Sequence, residues 1–183
     1  RDTDMNGTDT IAAVLSQTMG EDATVHLLGE ALPLSGGAAP MLAAHPDRCH
    51  LLPAADASLV GIAIGIALSG GKPVVELSGT EALWGALQQL GQESAALQGE
   101  FRGTLVIRVP VTPDARVPTP LLSDLAHVHV ASPSNPADAG VMLKAALRRP
   151  GVSVLLEPIT ILAEAGGVAG PEDLGTASTL QDG

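Results

Sequence analysis

Residues 51–77 read LLPAADASLVGIAIGIALSGGKPVVEL, and the fold follows from how this stretch is parsed. Ala57 to Ser69 is a largely apolar stretch long enough for a helix, and Gly70-Gly71 stops it. Pro73 to Leu77 then reads as a strand, and Cys49 to Leu52, just upstream, as another. Strands alternating with helices imply a parallel sheet between helical layers.

The same alternation extends in both directions. Upstream, Thr8 or Asp9 is a candidate cap for a helix over Ile11 to Met19, which Gly20 and Asp22 end. A strand over Val25 to Leu28 follows, then a loop at Ser35-Gly36-Gly37 and a brief helix over Met41 to Ala44. Downstream, Glu81 to about Ala96 reads as a helix and Thr104 to Val109 as a strand. Pro110 to Pro120 is a Pro- and Asp-rich loop. Val128 to Ala131, Pro136 to Leu147 (capped by Asn135) and Val152 to Leu156 complete the series. The strands are near-continuous apolar runs, as expected for strands buried on both faces. The predicted fold is α/β: a three-layer sandwich with a mainly parallel six-stranded sheet between helices. It spans residues 1–162; residues 163–183 have no clear period and read as a linker.

Composition narrows the function. Nine basic residues against 20 acidic ones give a net charge of −11. Such a chain repels phosphate backbones, so nucleic acid is not an expected partner. Phe101 and Trp84 are the only aromatics, so the core must be built from Ala, Val, Ile and Leu. A single cysteine, Cys49, excludes an internal disulfide and any cysteine cluster for metal. The longest apolar run, Leu59 to Leu68, is too short for a bilayer, so no membrane association is expected and a cytoplasmic location is the default.

A parallel sheet presents ligands at the C-terminal ends of its strands. Two acids fall there: Glu30, after the Val25 strand, and Asp56, at the start of the Ala57 helix. Each also has a plain structural reading. Asp56 could cap its helix through the Leu59 amide, and Glu30 could be a solvated loop acid. Gly61-x-x-x-Gly65 would allow a neighbouring element to approach closely. His127 and His129 alternate at strand spacing; with no third ligand nearby, a pair at the edge of the core is the simpler reading, and no metal site is assigned. Neither a phosphate-cradling Gly-rich loop nor a nucleophile elbow occurs.

Several stretches, in unbroken order, resemble the beta subunits of pyruvate and branched-chain 2-oxoacid dehydrogenases, of the transketolase-like pyrimidine-binding family. VHLLGEALPLSGG (25–37) resembles their first strand and Gly-Gly loop. Residues 51–77 are similar to their Gly-x-Ala-x-Gly-x-Ala helix followed by Gly-x-x-Pro-x-x-Glu. VASPSNPADAGVMLKAALRRPGVSVLLEP (130–158) resembles their fifth strand, capped helix and final strand. GPEDLGTASTLQDG (170–183) resembles the segment leading into their C-terminal domain.

The resemblance implies a beta-type component of a thiamine-diphosphate enzyme that decarboxylates a 2-oxo acid oxidatively. This domain would hold the cofactor's aminopyrimidine, while an alpha-type subunit holds the diphosphate and magnesium, in a homodimer or heterotetramer. The family glutamate that bonds ring nitrogen N1′ aligns with Asp56, one methylene shorter. The family aromatic against the pyrimidine aligns with Ala82. Trp84 lines up with another ring-bearing position, and Asp114 is the nearest equivalent of an active-site histidine. Glu30 matches a glutamate that relays protons between paired sites. Gly61 and Gly65 would lie in the dimer interface, or else face this domain's own sheet. Two alternatives stand beside this reading: a non-catalytic homologue kept for interaction or regulation, and a transketolase-type or deoxyxylulose-phosphate-synthase-type enzyme.

Overall fold

The computed structural model describes residues 5–30, 38–53, 56–96 and 101–166 of the chain. Six strands form one sheet: β1 (Val25–Gly29), β2 (Cys49–Leu51), β3 (Lys72–Glu76), β4 (Thr104–Val111), β5 (Val128–Ala131) and β6 (Gly151–Pro158). Their spatial order is β2-β1-β3-β4-β6-β5, and every pairing is parallel. The α/β sandwich expected from the sequence is therefore the fold observed.

Alternation along the strands divides the core in two. On β4, Leu105, Ile107 and Val109 face one cluster while Val106 faces the other. The first cluster is covered by α3 (Asp56–Leu68), α4 (Leu83–Ala96) and the short α5 (Thr119–Ser123). The second is covered by α1 (Gly7–Glu21), α2 (Ala39–Ala44) and α6 (Pro136–Arg148). Each enclosed Leu, Ile or Val contributes about 1.5–3 kcal/mol over its exposed state. Ala-rich helices bring these layers close, with Phe101 joining the aliphatic side chains of the first cluster.

The helix boundaries partly revise the sequence reading. α1 is capped by Asn6, whose Oδ1 accepts from the Asp9 amide at 2.8 Å, and not by Thr8 or Asp9. The start is set by tertiary contact: a Cβ on Gly7 would lie 2.9 Å from Leu162 Cα. Asn135 caps α6 as expected, accepting from Ala137 and Asp138 amides at 3.0 and 3.2 Å. The expected helix from Glu81 is a 3-10 turn over Thr80–Ala82 that leads into α4. α5 and α7 (Ile159–Ala163) were not anticipated; each is a single short turn beside a proline, without helical periodicity to betray it.

His127 does not share a strand with His129. It precedes β5 at φ 61°, so the two do not alternate, and its carbonyl accepts from the Val152 amide at 2.8 Å. The Ser35-Gly36-Gly37 loop and residues 167–183 of the expected linker lie outside the described residues. Just before that point, Ala165 forms an antiparallel bridge with Asn6, and the Gly166 amide donates to the Met5 carbonyl at 3.3 Å. Among the described residues, no helix is long and apolar enough to cross a membrane.

The topology locates the functional edge. From β1 the chain passes over the second cluster to β2, and from β2 over the first cluster to β3, which returns to the other side of β1. Adjacent strands whose onward connections diverge leave a crevice at their C-terminal ends, where ligands of such sheets bind.

Candidate functional site

Because all strands run the same way, the residues that follow β1, β2, β3 and β4 gather along one edge. Glu30 is the exposed residue immediately after β1. Asp56 is the first residue of α3 and is half-buried. It therefore occupies the first helical position and not the cap. No described residue donates to its carboxylate, and the expected bond from the Leu59 amide is not made. A carboxylate at this position is favoured by the N-terminal end of the helix dipole, and its oxygens remain available.

The start of α4 abuts the start of α3. A Cβ on Gly85 would lie 3.1 Å from the Ala57 amide nitrogen and 3.3 Å from Asp56 Cβ, so a hydrogen at Gly85 sets the approach. Trp84, one residue earlier, is 59% exposed and stands on this same first turn. Ala82 is only 2% exposed; the 3-10 turn directs it into the first core cluster, beside Leu83 and Ala86. Asp114 follows β4 in an exposed turn. The Thr112 hydroxyl, followed by its own backbone amide, holds its carboxyl below the usual range. The structure thus brings Glu30, Asp56, Trp84 and Asp114 to one edge, with Asp56 and Trp84 adjoining through Gly85, and leaves Ala82 underneath.

A second charged group was not singled out from the sequence. Arg108 on β4 is 9% exposed and lies between Glu76 of β3 and Glu157 of β6. Its Nε and one terminal nitrogen donate to the two Glu157 oxygens at 2.8 and 2.9 Å, and its other terminal nitrogen meets Glu76. Burial opposes the guanidinium charge, but Glu157 and then Glu76 outweigh it and raise its pKa. The trio ties together the C-terminal ends of three adjacent strands on the face of the second cluster. Each apolar run carries one charged residue near its end (PVVE, VIRV, LLEP), which was the available signal. Among the described residues, no group of three or more His, Cys, Asp or Glu side chains is placed to hold a metal ion.

A parallel sheet between helical layers, with acids and an exposed ring at its carboxyl edge, defines a three-layer α/β domain of the kind that binds ligands at that edge. The profile of the family described as transketolase, pyrimidine binding domain, matches residues 4–163. The chain belongs to that family. It is 26% identical over 166 residues to the pyruvate dehydrogenase E1 component subunit beta of Acholeplasma laidlawii, covering 82% of this chain and 51% of that one. With the mitochondrial 2-oxoisovalerate dehydrogenase subunit beta of Chaetomium thermophilum it shares 28% over 171 residues, covering 84% and 36%. The chain therefore spans about half or less of the length of these relatives. A solved structure titled split gene transketolase, inactive beta4 tetramer, superposes with a TM-score of 0.64 at 17% identity, covering 91% of this chain and 54% of that one. That likeness speaks for the fold.

Proposed function

We propose that this chain is the pyrimidine-binding part of a beta-type component of a 2-oxoacid dehydrogenase, and that an alpha-type partner completes a thiamine diphosphate site with it. The observation that carries the reading is Asp56, a half-buried carboxylate without a donor among the described residues, on the first turn of α3 at the carboxyl edge of the sheet.

The residues at this edge suit the aminopyrimidine half of the cofactor. Asp56 would accept a hydrogen bond from ring nitrogen N1′ and hold the proton there. Relative to a glutamate its reach is shorter by about 1.5 Å, so the ring must sit closer to the α3 start for a bond of about 2.6–3.2 Å. Trp84 offers an apolar ring face beside it, and Glu30 a carboxylate in reach of solvent at the end of β1. When bound, thiamine diphosphate supplies the electron sink that decarboxylation of a 2-oxo acid requires. Diphosphate and magnesium would belong to the partner.

The outer surface of α3 supports a partner. Ile62 and Leu68 are 46% and 52% exposed, and Gly65 faces open space. Gly61 meets Gln89 of α4, so neither glycine faces this domain's own sheet. A helix that is apolar all round is ordinarily covered.

One observation favours the non-catalytic alternative: with Ala82 enclosed in the core, that position offers no surface for stacking. Calorimetric titration of the full-length protein and its alpha-type partner with thiamine diphosphate and magnesium separates the two. Binding that weakens about tenfold or more in Asp56→Ala, the scale of one charge-assisted hydrogen bond, supports the proposal. A complex of the two chains that takes up no cofactor overturns it.

A further inference from the structure

β2 is an edge strand of three residues, paired on one side only, with β1. Such a strand has few backbone bonds, so side chains decide whether it stays in place. Arg48, just before it, donates to the Met19, Asp22 and Val25 carbonyls. On the strand itself the fastening is His50, whose Nε2 lies 3.1 Å from Nδ1 of His26 on β1.

The geometry identifies this contact. The ring planes are 18° apart and the centroids 5.4 Å apart. A five-membered ring with bonds of about 1.35 Å has a radius of about 1.15 Å. The centroid separation is thus the nitrogen contact extended by one radius at each end, and the two nitrogens point at each other along a line. Lone pairs binding a metal would converge on a third point; here a single N–H points at a single lone pair. The bond therefore needs one of the facing nitrogens bare. With both rings charged, two N–H groups oppose each other in a half-buried site.

The surroundings do not rescue the doubly charged pair. From the 3-10 turn before β2, Arg48 adds positive charge, while Asp47 and His45 flank it; Arg48 is bonded to His45 Nδ1 at 2.8 Å. From β3, Pro73 lies beside His26, and Lys72 is paired with Asp22 at 2.9 Å. The end of α3 reaches the His26 ring through Ile66 and Gly71, and α3 has no ionisable side chain after Asp56. Cys49 points to the opposite face, into the second cluster. Among the described residues, neither ring meets a carboxylate. Consistent with this, burial first, then His50 and Arg48, hold His26 below the ordinary histidine value of 6.5. The unfolded chain thus binds more protons just below that value, so the stability contributed is whole above pH 6.5 and declines as the pH falls.

We propose that His26 and His50 form a proton-controlled latch on β2, closed while one facing nitrogen is bare and released when both rings are charged. β2 leads toward the start of α3, so release loosens the edge that carries Asp56 whether or not that edge takes a cofactor.

Amide hydrogen exchange on the 183-residue chain tests this. Between about pH 7.5 and about pH 5, corrected for intrinsic rates, the Cys49–Leu52 amides should lose about tenfold protection, the scale of one lost hydrogen bond, while β4 amides hold theirs. His50→Gln, which cannot take a proton, should abolish the loss; His129→Gln should retain it. Equal loss in β4, no loss at all, or loss persisting in His50→Gln would overturn the latch. Should His50→Gln not fold, the ring resonances of the unaltered chain decide. Two separated midpoints, the lower coinciding with shifts of β2 amides, uphold it; a shared midpoint at the ordinary value refutes it.

Discussion

Arg108→Met removes the cation shared by a buried carboxylate, Glu157, and a partly buried one, Glu76. In the folded chain, Arg108 and Glu157 are 9% and 4% exposed, and three charge-assisted bonds hold the trio. The substitution keeps the length of the side chain but strands Glu76 and Glu157 on neighbouring rows with no compensating charge. Losing one partner of a buried ion pair costs about 3–5 kcal/mol, and here two acids depend on the one cation. The upper part of that range is expected. For a chain of this size it corresponds to a fall in Tm of roughly 6–20 °C. Thermal unfolding followed by circular dichroism at neutral pH measures it. Replacing all three residues together, Arg108→Met with Glu76→Leu and Glu157→Met, should recover most of the loss, since a buried ionic cluster exchanged for apolar packing is often neutral or better. A single variant within about 1 kcal/mol of the unaltered chain, or a triple variant no more stable than the single one, would refute the reasoning.

Two further substitutions probe the architecture. Gly85→Val forces α4 away from α3, because a Cβ there already stands 3.1 Å from the Ala57 amide; a loss of about 1–3 kcal/mol is expected, read by urea unfolding with Trp84, the sole tryptophan, as reporter. At the opposite end of the sheet, the Thr24 hydroxyl, then Lys72 and the Thr24 amide, lower Asp22 from 3.8 to about 2. Its stabilisation is present above pH 3.8 and is lost as the pH falls through about 2, so Thr24→Val should flatten the acid limb of the stability profile more than Lys72→Met. Both Lys72 and Asp22 are partly exposed, so Lys72→Met costs at most about 1 kcal/mol at neutral pH.

The sheet was legible because its strands are apolar on both faces, α3 ends before the Gly70-Gly71 pair and α6 begins at a good cap. Asn135 satisfies its cap locally, and sequence sufficed to find it. Asn6 does not announce itself over Thr8 or Asp9; the choice depends on Gly7 meeting Leu162, a contact between distant parts of the chain. The same limit hid the charged trio. Glu76, Arg108 and Glu157 are unremarkable until the β3–β4–β6 register sets them side by side. His26 and His50 likewise become a pair only through the β1–β2 register. At the candidate site, the acids at strand ends were legible from topology. The burial of Ala82 was not, because it turns on a single 3-10 turn whose residues are too few to carry a period.

The bridge between Asn6 and Ala165 means that the backbone enters and leaves this unit at one doorway. A module hinged in that way can be spliced into a longer polypeptide, or left at its head, without any strand changing neighbours. A circular permutant joined across Met5 and Gly166 would have to bridge only one hydrogen-bonded step.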